Sequence, residues 1–216
     1  MNFSRNGRRD SAEATLVVSA IGWVADTASL NLSNAGVELN PRGSIKVDEY
    51  LRTSAPNIFA AGDVTGRLML VPAAVEDGFV AATNAVLGPI KPLVQRICPS
   101  GSFTDPEYAQ VGLTLDKARE HHDVVTTVVH FDEVVPTIIE GRTHGFCRLI
   151  ADRKTHRVLG CHVVGQRAAD IVQMAAFVIA AGMGVDELAR VAVSFPLTPK
   201  SLFALRSSPH PSLTCR

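Results

Sequence analysis

No G-x-G-x-x-G loop occurs anywhere in this 216-residue chain, so it brings no glycine-rich turn of its own to wrap the pyrophosphate of a dinucleotide. Paired thiols are absent as well: Cys98, Cys147, Cys161 and Cys215 are widely spaced and form neither C-x-x-C nor C-x-x-x-x-C. That spacing argues against a local dithiol centre, a zinc-ligand pattern and a framework of structural disulfides. Charge of one sign is missing too. The 21 Lys and Arg balance 21 Asp and Glu, and no Lys/Arg stripe offsets this, which removes nucleic acid and anionic membrane from the expected partners. No apolar run approaches the roughly 18 residues of a spanning helix, and the segment Asn2 to Asp10 has no apolar core of signal-peptide type. The expectation is a cytoplasmic protein with one large or two small domains.

What is present is concentrated in one stretch, Thr53-Ser54-Ala55-Pro56-Asn57-Ile58-Phe59-Ala60-Ala61-Gly62-Asp63-Val64. An apolar extended segment rich in Ile, Phe and Ala ends in a Gly-Asp pair. Gly62 lets the backbone come close to a ligand where a side chain would block it. Asp63, at the end of the strand, can accept charge-assisted hydrogen bonds from the hydroxyls of a ribose or ribitol. After the loop Thr65 to Val71, Pro72 opens a helix that runs to Leu87 and closes at Gly88, the expected placement of proline and glycine. Ala73, Ala74, Gly78, Ala81 and Ala82 keep that helix slim enough for close packing on a sheet or flat ligand. Its first turn carries unpaired N–H groups and a partial positive charge suited to an electron-rich ring. A hydroxyl-binding carboxylate followed by such a helix fits a long cofactor with a polyol middle, which is the shape of flavin adenine dinucleotide (FAD).

These residues, Thr53 to Val64 with the Pro72 helix, resemble the second flavin-binding motif of the pyridine nucleotide-disulfide oxidoreductases, T-x-x-x-x-I-[FY]-A-x-G-D. The likeness continues on both sides. Thr15 to Trp23 resembles the strand leaving the nicotinamide domain, with Trp23 where arginine is usual, and Gly36 to Asp48 resembles the hairpin before the motif. Phe103 to Thr114, Gly145 to Leu149 and Gly160 to Gly165 resemble the family's C-terminal dimerisation domain. The resemblance implies that Gly62 and Asp63 serve the ribitol, with Asp63 holding it beside a crevice able to admit a dinucleotide. It implies that the backbone at Leu70 and Val71 approaches the isoalloxazine ring. The helix end at Pro72 and Ala73 would stabilise charge on the reduced ring by roughly 0.3–1 kcal/mol. The implied cofactors are FAD and, in the complete enzyme, NAD(P)H. The implied fold is an α/β part-domain of a flavin-binding Rossmann-like fold, followed by an α+β dimerisation domain of antiparallel sheet and helices.

Pro89-Ile90-Lys91-Pro92 reads as a stiff linker, giving domains at 1–92 and 93–216. Before it, strands are expected near 15–20, 44–48 and 57–61, with the helix at 72–87. After it come a strand near 110–112, a helix from Thr114 to His121, and strands at 124–131, 145–151 and 157–164. Arg167 to Met183 reads as a long helix whose Ala168, Ile171, Val172, Ala175, Ala176, Val178 and Ile179 form an apolar face broad enough for two contacts. The alternatives are a helix buried within one domain and a two-fold dimer face, and the resemblance favours a homodimer through 93–216. Cys147 and Cys161 fall in strands as small buried thiols. Neighbours on a strand face opposite ways, so Cys161 and His162 do not share an ion, and no metal site is expected.

No catalytic residue is assigned. Disulfide-reducing members of the family carry His-Pro-x-x-x-Glu near the end; in register this chain has Phe195-Pro196 and then Lys200, which supply no acid/base pair. A later register uses His210-Pro211 but lacks the glutamate. Mercuric reductase-like members also have Phe-Pro there but end in paired cysteines, where this chain has Cys215 alone. Two readings follow. One is part of an FAD-dependent NAD(P)H oxidoreductase that passes electrons through flavin to a quinone, metal ion or disulfide. The other is a non-catalytic dimerisation module from a truncated gene. Without either Gly-rich loop or a redox cysteine pair, the isolated chain is expected to bind flavin weakly or not at all and to be inactive. The acceptor and the choice between NADH and NADPH stay open.

Overall fold

The computed structural model describes residues 2–94 and 97–192, which form two compact units dividing between Leu93 and Val94. The first unit opens with an antiparallel hairpin of β1 (Asn2–Arg5) and β2 (Arg8–Ser11). It turns at Asn6 and Gly7, both at positive φ, the conformation that a two-residue hairpin turn requires. The strand expected at 15–20 does not form. Leu16, Val17, Val18, Ile21, Trp23 and Val24 all lie exposed instead. An apolar strand of this kind needs hydrogen-bonding neighbours at its edges and cover on its faces, and the described residues supply neither.

The segments 44–48 and 57–61 are extended but make only isolated bridges, Leu39 with Ile45 and Arg52 with Phe59, rather than the strands expected. Short backbone bonds hold them: Thr53 N–H to Ile58 O at 2.9 Å, Ala60 N–H to Leu51 O at 3.0 Å, and Ile45 N–H to Val64 O at 2.9 Å. Val37, Ile45, Ala55 and Ala60 close one small core. Leu51 closes another with Val80 and Ala81 of helix α1 (Val71–Leu87). Behind α1 the chain is fixed by one buried amide. Asn84 donates from Nδ2 to Tyr50 O at 3.0 Å and Lys91 O at 2.8 Å, while its Oδ1 accepts from the N–H groups of Ile90 at 3.1 Å and Lys91 at 2.8 Å. Two donors and two lone pairs are thereby all satisfied.

The second unit is an antiparallel sheet with helices on it. In chain order it comprises β3 (Ser100–Ser102), β4 (Tyr108–Gly112), α2 (Leu115–Arg119), β5 (Val124–His130), α3 (Val135–Ile139), β6 (Phe146–Asp152), β7 (Val158–Val164), α4 (Ala168–Ala180) and α5 (Val185–Arg190). The five strands lie in the order β3-β4-β7-β6-β5, so the last three form the expected meander. Alternate residues Ala109 and Val111, Cys147 and Leu149, and Cys161 and Val163 face Ala168, Ile171, Val172, Ala175 and Ala176 of α4 in one core. The opposite side of α4 exposes Ala169, Gln173 and Phe177, so within this unit the helix is buried on one side.

Two His–Asp pairs brace the β6–β7 turn. Asp152 accepts from the N–H groups of Thr155 at 2.8 Å and Lys154 at 2.9 Å, and its Oδ2 lies 2.9 Å from His122 Nδ1. The Thr155 backbone bond and then the His122 bond hold its carboxyl down at about 2. His156 Nδ1 lies 2.6 Å from Asp186 Oδ2 of α5, and that hydrogen bond raises the His156 pKa. Val185 N–H also donates to His156 O at 2.9 Å, so turn and helix are tied twice.

Two outcomes are expected. Asn84→Ala strands the polar groups of a buried turn and destabilises the chain by roughly 1–3 kcal/mol, read as a lower urea midpoint with an unchanged m-value. The raised folded pKa of His156 means that its pair with Asp186 stabilises fully below the ordinary value of 6.5 and loses that contribution as pH rises through the raised value. The Tm difference between wild type and Asp186→Asn is therefore larger at mildly acidic pH than in alkali, and a pH-independent difference contradicts the pairing.

Candidate functional site

The extended run Ala60-Ala61 enters a tight 3-10 turn, Gly62–Thr65, with Gly62 at φ 75° and Gly66 closing it at φ 65°. Both glycines are required by contact as well as by conformation. A Cβ on Gly62 would lie 3.2 Å from the Ala74 Cβ on the first turns of α1, and one on Gly66 would lie 2.2 Å from Ser44 Oγ. The turn is therefore seated directly on the helix.

Three bonds shape the turn. Gly62 N–H donates to Asp77 Oδ2 at 3.2 Å, the Thr65 hydroxyl donates to Gly62 O at 2.7 Å, and Gly66 N–H donates to Asp63 O at 2.9 Å. Asp77 and Thr65 are themselves buried. The Asp63 carboxylate differs: it is exposed and has no protein partner among the described residues. The shelter expected around Asp63 is thus not supplied by those residues.

The neighbouring helix end is equally uncommitted. Leu70 stands at the N-cap in an extended conformation and offers no side-chain cap, and proline occupies the first turn. Pro72 has no N–H to give, so the donors left at this end are the backbone N–H groups of Val71 and Ala73, because Ala74 N–H already bonds Leu70 O at 2.9 Å. Val71 and Pro72 are exposed, and Leu70 and Ala73 half-buried. An open carboxylate acceptor beside an uncapped, partly positive helix end suits a ligand with hydroxyl donors in one part and an electron-rich ring edge in another. The residues present fit FAD in that sense: Asp63 would hold the polyol, and the α1 end would face the ring.

Asp77 and Asn84 were not marked by any motif. The one available signal was a polar residue in the middle of an otherwise small and apolar helix. Cys147 and Cys161, 14 residues apart, bring their Sγ atoms to 3.9 Å inside the sheet core. The contact with Cys147 and burial both push the Cys161 thiol far above its ordinary range. His162 turns to the other face and bonds Leu113 O at 3.0 Å, and exposed His144 is not brought to buried Cys147. Among the described residues no group of three or more His, Cys, Asp or Glu could hold a metal ion. No helix there is long and apolar enough to cross a membrane. Phe195, Pro196, Lys200, His210, Pro211 and Cys215 lie outside the described residues.

Comparison with known proteins places these elements in a family context. The model of the pyridine nucleotide-disulphide oxidoreductase dimerisation domain matches residues 98–214, and a pyridine nucleotide-disulphide oxidoreductase model matches residues 4–78. A mercuric reductase from Bacillus cereus is 38% identical over 184 residues, which cover 85% of this chain and 29% of that relative. A dihydrolipoyl dehydrogenase from Chlamydia pneumoniae is 37% identical over 161 residues, 74% of this chain and 35% of its own length. Among solved structures, the HOCl-induced flavoprotein disulfide reductase RclA from Escherichia coli superposes with a TM-score of 0.78 at 30% identity, covering 86% of this chain and 44% of that one. The chain spans about a third of the length of the curated relatives it matches. Its fold is that of these reductases: part of a flavin-binding Rossmann-like domain, then an α+β dimerisation domain.

Proposed function

The chain belongs to the pyridine nucleotide-disulphide oxidoreductases, and on that premise we propose that it is the C-terminal part of an FAD-dependent NAD(P)H oxidoreductase. One observation carries this reading: the clamped Gly62 turn presents an unpartnered Asp63 carboxylate beside the uncapped end of α1. Asp63 accepts from the ribityl hydroxyls. The Leu70 and Val71 backbone would approach the ring, and the N–H groups of Val71 and Ala73 would serve its electron-rich edge. When bound, FAD supplies the two-electron relay between NAD(P)H and an acceptor, which is a quinone, a metal ion or a disulfide.

The first unit also carries an exposed apolar surface, which this reading shares with a non-catalytic dimerisation module from a truncated gene. Leu16, Val17, Val18, Ile21, Trp23 and Val24, together with Val75, Phe79 and Val86 on α1, stand open to solvent. Apolar surface on that scale marks a face that further polypeptide covers. Residues 93–216 join two copies of the protein, a role supported by the dimerisation-domain match. Cytoplasmic residence is part of the same proposal.

One side of a flavin cradle binds weakly, because the pyrophosphate contacts to a glycine-rich loop contribute much of the affinity. The 216-residue chain should therefore purify without stoichiometric yellow cofactor and quench added FAD only at high concentration, and Asp63→Ala should abolish the quenching. Stoichiometric flavin in the purified chain contradicts the half-cradle. Unchanged quenching in Asp63→Ala contradicts the role of Asp63.

A further inference from the structure

Gly62 is held from both ends by buried side chains. Its N–H donates to Asp77 Oδ2 at 3.2 Å, and its carbonyl accepts from the Thr65 hydroxyl at 2.7 Å. Glycine has the widest conformational freedom of any residue, and here its φ of 75° sits against Ala74, where no Cβ fits without displacement. The direction in which the next residue, Asp63, leaves the backbone depends on the two peptide groups that flank the Gly62 Cα. Thr65 fixes it from within the turn, whereas Asp77 fixes it from the helix, 15 residues on.

We infer that Asp77 is a positioning residue: through Gly62 it locks the turn to α1, so that the Asp63 carboxylate and the helix end address the same ligand. The inference rests on the flavin reading of Asp63. The acceptor belongs to the helix, so the bond ties turn to helix directly. Only the oxygen's accepting role is needed, so an asparagine at 77, whose Oδ1 also accepts, preserves the lock.

Amide hydrogen exchange of the full 216-residue chain tests the lock without any ligand. In Asp77→Ala the Gly62 amide should exchange at least about tenfold faster, while Asp77→Asn should stay within about threefold of wild type. The amides of Val80 and Ala81, in the core-facing part of α1, report the fold and should not move. Equal acceleration at all three amides, or none at Gly62, overturns the inference and assigns Asp77 a merely structural role. FAD quenching supplies the second arm. Asp77→Ala should weaken it at least about tenfold with rescue by Asp77→Asn, and Thr65→Val, which frees the other end of Gly62, should weaken it as well. Wild-type quenching in every variant overturns the inference. No quenching in wild type overturns the flavin reading instead, a failure the exchange arm does not share.

Discussion

The seating of Gly62 on α1 is the contact on which the proposed flavin-binding face of this chain depends. A turn and a helix end can serve one ligand only if their separation is fixed, and here it is fixed by van der Waals contact at Ala74 and a hydrogen bond from Asp77. Each partner is small or polar for that reason. A larger residue at 74 would lift the turn, and a side chain at 62 would have to adopt a backbone conformation that L-residues avoid. Beside the committed bonds of the turn, the carboxylate of Asp63 has no protein partner among the described residues. A charge left open in this way, beside a helix end left uncapped, is an arrangement of unmet hydrogen-bonding capacity rather than of stability.

The two units bury apolar surface with different success. The second packs apolar residues of three of its five strands, β4, β6 and β7, on α4, so its core is closed by its own residues. The first has two small clusters and a long exposed apolar segment at 16–24. Beyond the β1–β2 hairpin, the Asn84 clasp and the backbone bonds around residues 45, 53 and 60 hold it together. Its sequence is written for burial, and the cover is not among the residues described. Asp63 is exposed in the same unit.

How far the sequence could be read follows the range of the interactions. Local signals were legible: Pro72 and Gly88 bound α1, the alternation at 146–152 and 158–164 marks two strands, and the 168–180 helix shows its buried stripe. Strands expected at 15–20, 44–48 and 57–61 have the right composition but lack neighbours, and a strand is a property of a pair rather than of a segment. The Gly62 and Asp63 pair was legible from its motif. Its hydrogen bond to Asp77 was not, nor were the four bonds of Asn84 or the approach of Cys147 to Cys161, because tertiary folding brings together residues 6 to 34 positions apart. The His–Asp pairs on the β6–β7 turn belong to the same class, each joining residues 30 apart.

The most direct measurement is a backbone amide map of the chain by NMR as FAD is added. The account predicts that the largest shifts fall on Gly62, Asp63, Val71 and Ala73, with the core of 146–164 unmoved. Shifts confined to residues outside 60–75, or none at Asp63 while other amides respond, would contradict it.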